Sequence, residues 1–547
     1  MPKSKHKRFH DGGGAAKREP QLVSAGGAMG AARHGVAVQF FLSGDLSDMA
    51  TPFVARQSAG MSVQLRQSHG WLNGTLDAGS IEEARQRYEP GNKFSWPRIL
   101  PDREHAFVDR HGSVLANPEL RVRMEDVRAT EAAKPSELSL LFVRWGGTHR
   151  IGEDSGEAQH VAVTDSPPWG LYGAPPSDWY MDAVVTFGLM THPDLCGAAR
   201  NCEVVSLFLG SDADLRSVAV EATQIAALLP GRRAASFWML WGADFGSDWA
   251  SNRYPGYVNR RGLFAGQRAL ETTGRVKSAF PHPADLWEFI TSKVWMASLA
   301  AQPETMRLPA CVMSSREAIL KNPRDAARSA MQQIEALRQQ YVYRGTWPEG
   351  AATVNRRGLT KGVVKIGWSW EAKFVWFWTG EIQLAEYLLA MVKLPGCTSD
   401  YCLVQEWVDF DFELRLFFLP RRDWTPGTPL TPTHYEYTAW VNDKGEDAPG
   451  RFLKPTAEDA LARFAGDELA LASAHTQAIE ASQPLIAELL KKHDQPVPFI
   501  RMDWMVKRWG AATAQVVFGE YCEVGADCLK WEAGPPKLWR AVLDSLV

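Results

Sequence analysis

The residues of this 547-residue chain best placed to do chemistry are charged groups set into apolar runs. Lys365 lies in Gly362-Val-Val-Lys-Ile-Gly367, a β-branched stretch where an ammonium is costly unless a phosphate or carboxylate meets it. Asp503 interrupts Phe499-Ile-Arg-Met-Asp-Trp-Met-Val506 in the same manner. A metal ion is one partner for that carboxylate, and an ion pair with Arg501, on the same strand face, is the other. Glu520 follows in Val517-Phe-Gly-Glu-Tyr-Cys-Glu-Val-Gly525 as a further hard oxygen ligand, and Glu523 could serve as one if a bulge turns it inward, since strict alternation points it the other way. Glu406 ends an apolar run from Tyr401, beside Val408, whose backbone could read the edge of a ring; a plain exposed acid is the alternative. Glu413 and Arg415 alternate on one face, which suits either ligand contacts or a cross-strand ion pair. Ser369 and Lys373 fall between Gly367 and Gly380 in a segment, Trp368–Gly380, read as a loop with free backbone donors. No Ser/His/Asp or Cys/His constellation competes with this set.

The elements that must position these groups follow from patterning. The core stretch reads as a strand at 362–367, the loop, a helix over Ile382–Leu394 and a β-hairpin over Tyr401–Leu419. Two more strands carry Asp503 and Glu520. Upstream, helices are expected over Ala284–Ala301, which bears Lys293, and over Asn322–Arg344; Lys293 either reaches an anion or snorkels to the surface. Downstream, His434–Val441 alternates like a strand, Ala457–His493 reads as two helices, and a short helix closes the chain near Leu538. Apolar runs beginning at Leu138, Met181, Val204 and Ala235, with helical spacing over Leu215–Leu229, read as a parallel sheet with a βαβ unit.

The ordered set Lys365, Glu406, Glu413, Asp503 and Glu520 resembles that of the ATP-grasp superfamily, and the seven-residue step from Glu406 to Glu413 and the Arg501/Asp503 pair are like those of D-alanine ligases. The resemblance covers roughly residues 275–545. It implies an α/β protein, an ATP-grasp fold preceded by a parallel-sheet domain. It implies ATP and Mg²⁺ as cofactors: Lys293, Lys365 and Ser369 on phosphates, Glu406 and Val408 at adenine, Glu413 at ribose, and Asp503, Glu520 and Glu523 on the metal. Arg415 and Arg501 would be the catalytic cations. The implied reaction joins a small-molecule or peptide carboxylate to an amine through an acyl-phosphate. An ATP-binding assembly factor or chaperone, a pseudoenzyme and an ATP-dependent kinase are the alternatives. Two departures stand out: Trp368, Trp370, Trp376 and Trp378 crowd the loop, and Cys522 stands where the family commonly has an asparagine ligand.

Composition bounds the rest. With 45% hydrophobic and 22% charged residues and a net charge of −3, the chain reads as a globular protein of several domains without a global nucleic-acid signature. Seven cysteines without a Cys-x-x-Cys pair suit reduced thiols in a cytosol-like compartment. No run reaches membrane-span length, and no signal peptide follows the basic start. The expected division is a basic, disordered tail at 1–34, a region of unassigned fold at 35–134, an α/β domain at 135–278 and the nucleotide-binding part at 279–547. The Lys3–Arg8 cluster reads as a solvated tail or as a nuclear signal.

Overall fold

Four apolar stretches pair as a parallel sheet at the heart of the N-terminal half: β3 (Leu138–Trp145), β4 (Cys202–Leu209), β5 (Arg233–Met239) and β6 (Val276–Phe280), in the order β6-β5-β3-β4. The computed structural model describes residues 35–42 and 54–546 other than 57–59, 64, 90–91, 103–105, 109–113, 116–118, 124–125, 131–135, 146–147, 152–158, 163–201, 246–256, 302–307, 344–358, 370–373, 421–427, 442–450, 492–496, 498 and 523–533. The run expected to begin at Met181 lies outside these residues. Strands on both sides of residue 134 share this sheet, because β2 (Leu65–Asp77) adds antiparallel to β4 and carries β1 (Gly35–Leu42) on its other stretch. Helix α1 (Asp212–Leu228) starts where the Ser211 hydroxyl accepts from the Asp214 N–H, and it packs with α2 (Arg260–Thr272) over the sheet through Val218, Leu263 and Leu270. The fold class is α/β.

The segment expected as one helix over Ala284–Ala301 is two, α3 (Ala284–Ser292) and α4 (Val294–Ala300). Lys293 joins them in the left-handed region at φ 59°. Nothing in the local sequence demands this break; a non-glycine residue in that region is held there by its surroundings.

A four-stranded sheet follows, ordered β7-β10-β8-β9: β7 (Cys311–Ser315), β8 (Lys361–Ile366), β9 (Val375–Thr379) and β10 (Tyr401–Glu406). Val364, Ile366, Cys402 and Val404 fill one face against α5 (Pro323–Tyr343) and α6 (Gly380–Val392). Five of the thirteen residues of the loop expected over Trp368–Gly380 are therefore strand: Val-Trp-Phe-Trp-Thr is a run of good β-formers that pairs with β8. Trp378 is buried in the sheet's core and Trp376 packs edge-on against Tyr387, so two of the four crowding tryptophans serve packing.

The expected hairpin over 401–419 is not one. β10 stays in the small sheet, whereas β11 (Phe412–Phe418) pairs with β12 (His434–Val441) and β14 (Ile500–Gly510) in a second, five-stranded sheet completed by β13 (Arg451–Leu453) and β15 (Thr513–Cys522). Apolar strands flanking a short link carry no statement of which partner each will take, and here the link bridges two sheets. Leu414, Leu416, Met502, Trp504 and Phe518 cover one face of the large sheet with α7 (Ala457–Arg463) and α8 (Glu468–Lys491). Phe417 and Phe499 join Phe142 and Phe237 of the parallel sheet and Leu538 of α9 (Gly534–Asp544), fixing the two halves together.

Candidate functional site

Register gathers the charged residues of the large sheet on its uncovered face. Arg415 sits directly opposite Asp503, and Asp503 directly opposite Glu520. Residues opposite one another in an antiparallel pair share a face, as do residues two apart, so Glu413, Arg415, Arg501, Asp503, Glu520 and Cys522 line up together. Glu520 belongs to this row through a bulge: the pairing steps from Trp504–Phe518 to Asp503–Glu520, leaving Gly519 as the extra residue. A Cβ at Gly519 would lie 3.0 Å from the Asp503 carbonyl oxygen, a close approach that glycine relieves. Without that bulge, Gly519 would stand opposite Asp503.

Within the row the carboxylates are held by cations. Arg501 donates to both oxygens of Asp503, Nε to Oδ1 and Nη2 to Oδ2, each at 2.9 Å, while Arg415 Nε lies 3.6 Å from Oδ2 and its Nη2 donates to Glu413 at 3.1 Å. The Cys522 thiol lies between the acids: Sγ is 3.1 Å from Glu520 Oε1 and 3.6 Å from Asp503 Oδ2, and it accepts from Arg501 Nη2 at 2.9 Å. Burial pushes the Glu413 carboxyl up, Arg415 opposes it, and the neighbouring Asp503 and Glu520 add to the rise. For Glu520 burial acts upward too, yet Lys293 and Lys365 outweigh it and hold the group at about 2.

The two lysines enter from other elements. The left-handed turn at Lys293 aims its Nζ inward, where it donates to the Ser369 carbonyl at 2.9 Å and lies 3.4 Å from Glu520 Oε2. Lys365, on β8, shares a face with Leu403 and Gln405, the face opposite the one packed on α5 and α6. It is 8% exposed and makes no hydrogen bond or ion pair with any described residue. Burial, then the charge of Lys293, lowers its ammonium to about 8 against the opposing pull of Glu520 and Glu413. Lys365 thus acts on Glu413, 48 positions further along the chain, and on Glu520, 155 positions further along.

Other sequence candidates sit as follows. Glu406 falls on the opposite face of β10 from Gln405: its Oε1 accepts from the Ala310 N–H at 2.7 Å and its Oε2 lies 3.1 Å from Arg338 Nε of α5. Burial raises that carboxyl to about 7. Its own N–H donates to the Ala310 carbonyl, so neither its side chain nor its N–H is directed at the lysine's face. Val408 instead forms a small apolar patch with Met505 and Val517, Phe410 flanking it, beside Glu413 on the row's face. Ser369 is buried, its hydroxyl donating to the Ile366 carbonyl at 3.1 Å. Lys373 and Glu523 lie outside the described residues. Sequence reading passed over Gln405, buried on the lysine's face with Oε1 unpartnered among the described residues, and Arg260, whose guanidinium stacks 3.7 Å from the Trp368 ring and whose Nε donates to buried Asp244. Strand parity relative to Lys365 would have picked out the first; no local signal marks the second.

No family profile matches this chain, and no curated protein does either. Solved structures do. D-alanyl-alanine synthetase A from Vibrio cholerae O1 biovar eltor str. N16961 overlaps 76% of this chain and 99% of its own at 12% identity and a TM-score of 0.39. D-alanine–D-alanine ligase from Bacillus anthracis, complexed with ATP, overlaps 75% and 96% at 11% identity and a TM-score of 0.35. L-amino acid ligase from Bacillus licheniformis overlaps 76% and 75% at 11% identity and a TM-score of 0.37. Overlaps this loose carry no chemistry across, so the role of each group rests on what its side chain touches here. No described helix is long and apolar enough to cross a membrane.

Donor chemistry tests the divalent ion that the sequence resemblance implies. One oxygen each from Asp503 and Glu520 and the sulfur of Cys522 lie within 4.8 Å of one another, a spacing that fits a single cation. Two carboxylates suit Mg²⁺; the thiol does not.

Proposed function

We propose that the chain is an ATP-dependent ligase that activates a carboxylate as an acyl-phosphate and joins it to an amine. The observation that supports this most directly is Lys365: a nine-tenths-buried ammonium, without a hydrogen-bonding or ion-pair partner among the described residues, facing a row of carboxylates able to hold a cation. A triphosphate bridging the two would satisfy both, being anionic toward the lysine and a ligand toward the metal.

In this reading Lys365 and Lys293 fix the phosphates, and the Val408–Met505–Val517 patch supplies apolar contact for the base beside Glu413, which takes the ribose hydroxyls. Gln405 offers an acceptor from the small sheet. A bound divalent cation held by Asp503 and Glu520 would supply charge neutralisation at the phosphates. Arg501 and Arg415 orient Asp503 and Glu413 through the hydrogen bonds they donate, and bring two positive charges beside the developing negative charge. A substrate carboxylate oxygen attacks the γ-phosphorus and ADP leaves. An amine nitrogen then attacks the acyl carbon, loses its proton to solvent and expels inorganic phosphate. Catalysis is by positioning and charge neutralisation, without a protein nucleophile.

The grip of Arg501 on both Asp503 oxygens also suits a second reading, a nucleotide-binding assembly factor that does not turn over, since a carboxylate so clasped holds a cation less freely. Both readings require nucleotide binding. Melting temperature with ATP and a divalent cation is the test: wild type should gain several degrees, and Lys365→Ala and Asp503→Asn should gain little. A gain left intact in both variants refutes the site. ADP release over pooled amino acids and amines then separates ligase from binder.

A further inference from the structure

The most informative departure at this site is the sulfur. Cys522 does not merely replace a ligand at the rim; the Gly519 bulge sets it on the same face as Asp503 and Glu520, two residues on from Glu520 and opposite Arg501. Its Sγ is the atom between the two carboxylates, at 3.1 and 3.6 Å, and it is buried. Any cation taking one oxygen from each acid would therefore meet the sulfur. Arg501, donating to both Asp503 and Cys522, orients two members of the set at once, as supporting groups around metal ligands do. An independent observation points to a ligand here: Lys365, nine-tenths buried and without a hydrogen-bonding or ion-pair partner among the described residues, stands near enough to Glu520 for their charges to act on one another, and a buried ammonium calls for an anion.

We propose that Asp503, Glu520 and Cys522 form a mixed oxygen–sulfur site that takes a borderline divalent cation of the Zn²⁺ or Co²⁺ class as the partner of the nucleotide, in preference to Mg²⁺. The proposal rests on the nucleotide reading above and narrows its metal. Mg²⁺ wants an octahedron of oxygens and sheds water reluctantly, so a sulfur beside its two carboxylates removes a position it would use. Zn²⁺ and Co²⁺ accept sulfur with oxygen and tolerate fewer ligands. On coordination the sulfur gives its proton to solvent and binds as thiolate.

The test uses the full-length protein and Co²⁺ as the probe, with ATP present. A thiolate-to-cobalt charge-transfer band in the near ultraviolet should appear in wild type and vanish in Cys522→Asn and Cys522→Ser, while the weaker visible cobalt bands persist. The ratio of Co²⁺ to Mg²⁺ affinity, measured by competition, should fall at least about tenfold in Cys522→Asn, since losing even a supporting group costs that much. Cobalt bound without the charge-transfer band, or an unchanged ratio, overturns the proposal. Should the variants not fold, absence of the band in wild type alone overturns it. The nucleotide reading fails separately. If ATP with Mg²⁺ stabilises wild type and Cys522→Asn equally, the sulfur proposal is lost and the nucleotide site stands. If the band forms but ATP shifts no melting temperature with any cation, the metal site stands and the nucleotide reading falls.

Discussion

The four-stranded and five-stranded sheets handle buried charge in opposite ways. The large sheet compensates its charges: Asp503 is clasped by Arg501, Glu413 is met by Arg415, and Glu520 is met by Lys293 from the α3–α4 turn. The small sheet offers Lys365 on an apolar face with no such compensation among the described residues. A self-neutralised row is what a scaffold needs to be stable before anything binds. A lone buried ammonium is stable only at a cost, and its lowered proton affinity is the measure of that cost. On the proposed reading, the contrast puts the anion on the small sheet's side and the cation on the other.

The largest break in that contrast is Lys365→Met. It should lower turnover by about 10²–10³-fold, as loss of a preorganised charge does, while raising the melting temperature, because an ammonium held at about 8 rather than 10.5 costs roughly 3 kcal/mol below pH 8. The sign follows from proton binding: between pH 8 and 10.5 the unfolded state holds more protons at this group, so wild-type stability rises with pH across that window and the variant lacks the rise. A lysine with a purely structural role would give the reverse, a lower melting temperature. Nucleotide affinity in wild type should weaken as pH climbs through 8, with proton uptake on binding seen by calorimetry in two buffers.

Glu406→Gln probes the same strand on its other face. Because Glu406 is spent on Ala310 and Arg338, the change should cost about 2 kcal/mol by denaturant melting and leave nucleotide affinity unchanged. Its carboxyl is raised to about 7, so the folded state binds the extra proton between pH 4.5 and 7; wild-type stability falls with rising pH there, and the variant should not show that fall. A tenfold loss of nucleotide affinity in Glu406→Gln would return this acid to the site.

Glu520→Gln is a smaller change of the compensated kind. The group is held at about 2 by the lysines, so its stabilisation is present above pH 4.5 and is lost as pH falls toward 2. A third of the side chain reaches solvent, and screening reduces the loss at neutral pH to about 1 kcal/mol, readable as a difference between acid melts of variant and wild type. Arg260→Lys keeps the charge but gives up the Nε bond to buried Asp244 and weakens the stacking on Trp368, so a loss of about 1 kcal/mol is expected by denaturant melting.

Much of the site's membership was legible in the chain because a charge inside an apolar strand is conspicuous wherever it occurs. Lys365 and Asp503 announce themselves in this way, and Asp503 with Arg501 share a face by simple alternation. Glu406 announces itself equally well, and the same signal there marks a buried structural pair, since an isolated strand does not say which of its two faces will see a ligand. The helix break at Lys293 had no signature at all.

What the sequence by itself determined is the local inventory: α/β class, most element positions, and a set of charges that apolar neighbours forbid to stand alone. Only the tertiary structure decided how they combine. It parted β10 from β11 into separate sheets where a hairpin was the local expectation, turned Glu406 toward α5, and through one extra residue at Gly519 put Glu520 and Cys522 opposite Asp503 and Arg501. The physical reason is that period and composition fix how a strand alternates, whereas its partner, its register and the face left uncovered are settled by contacts between residues far apart in the chain.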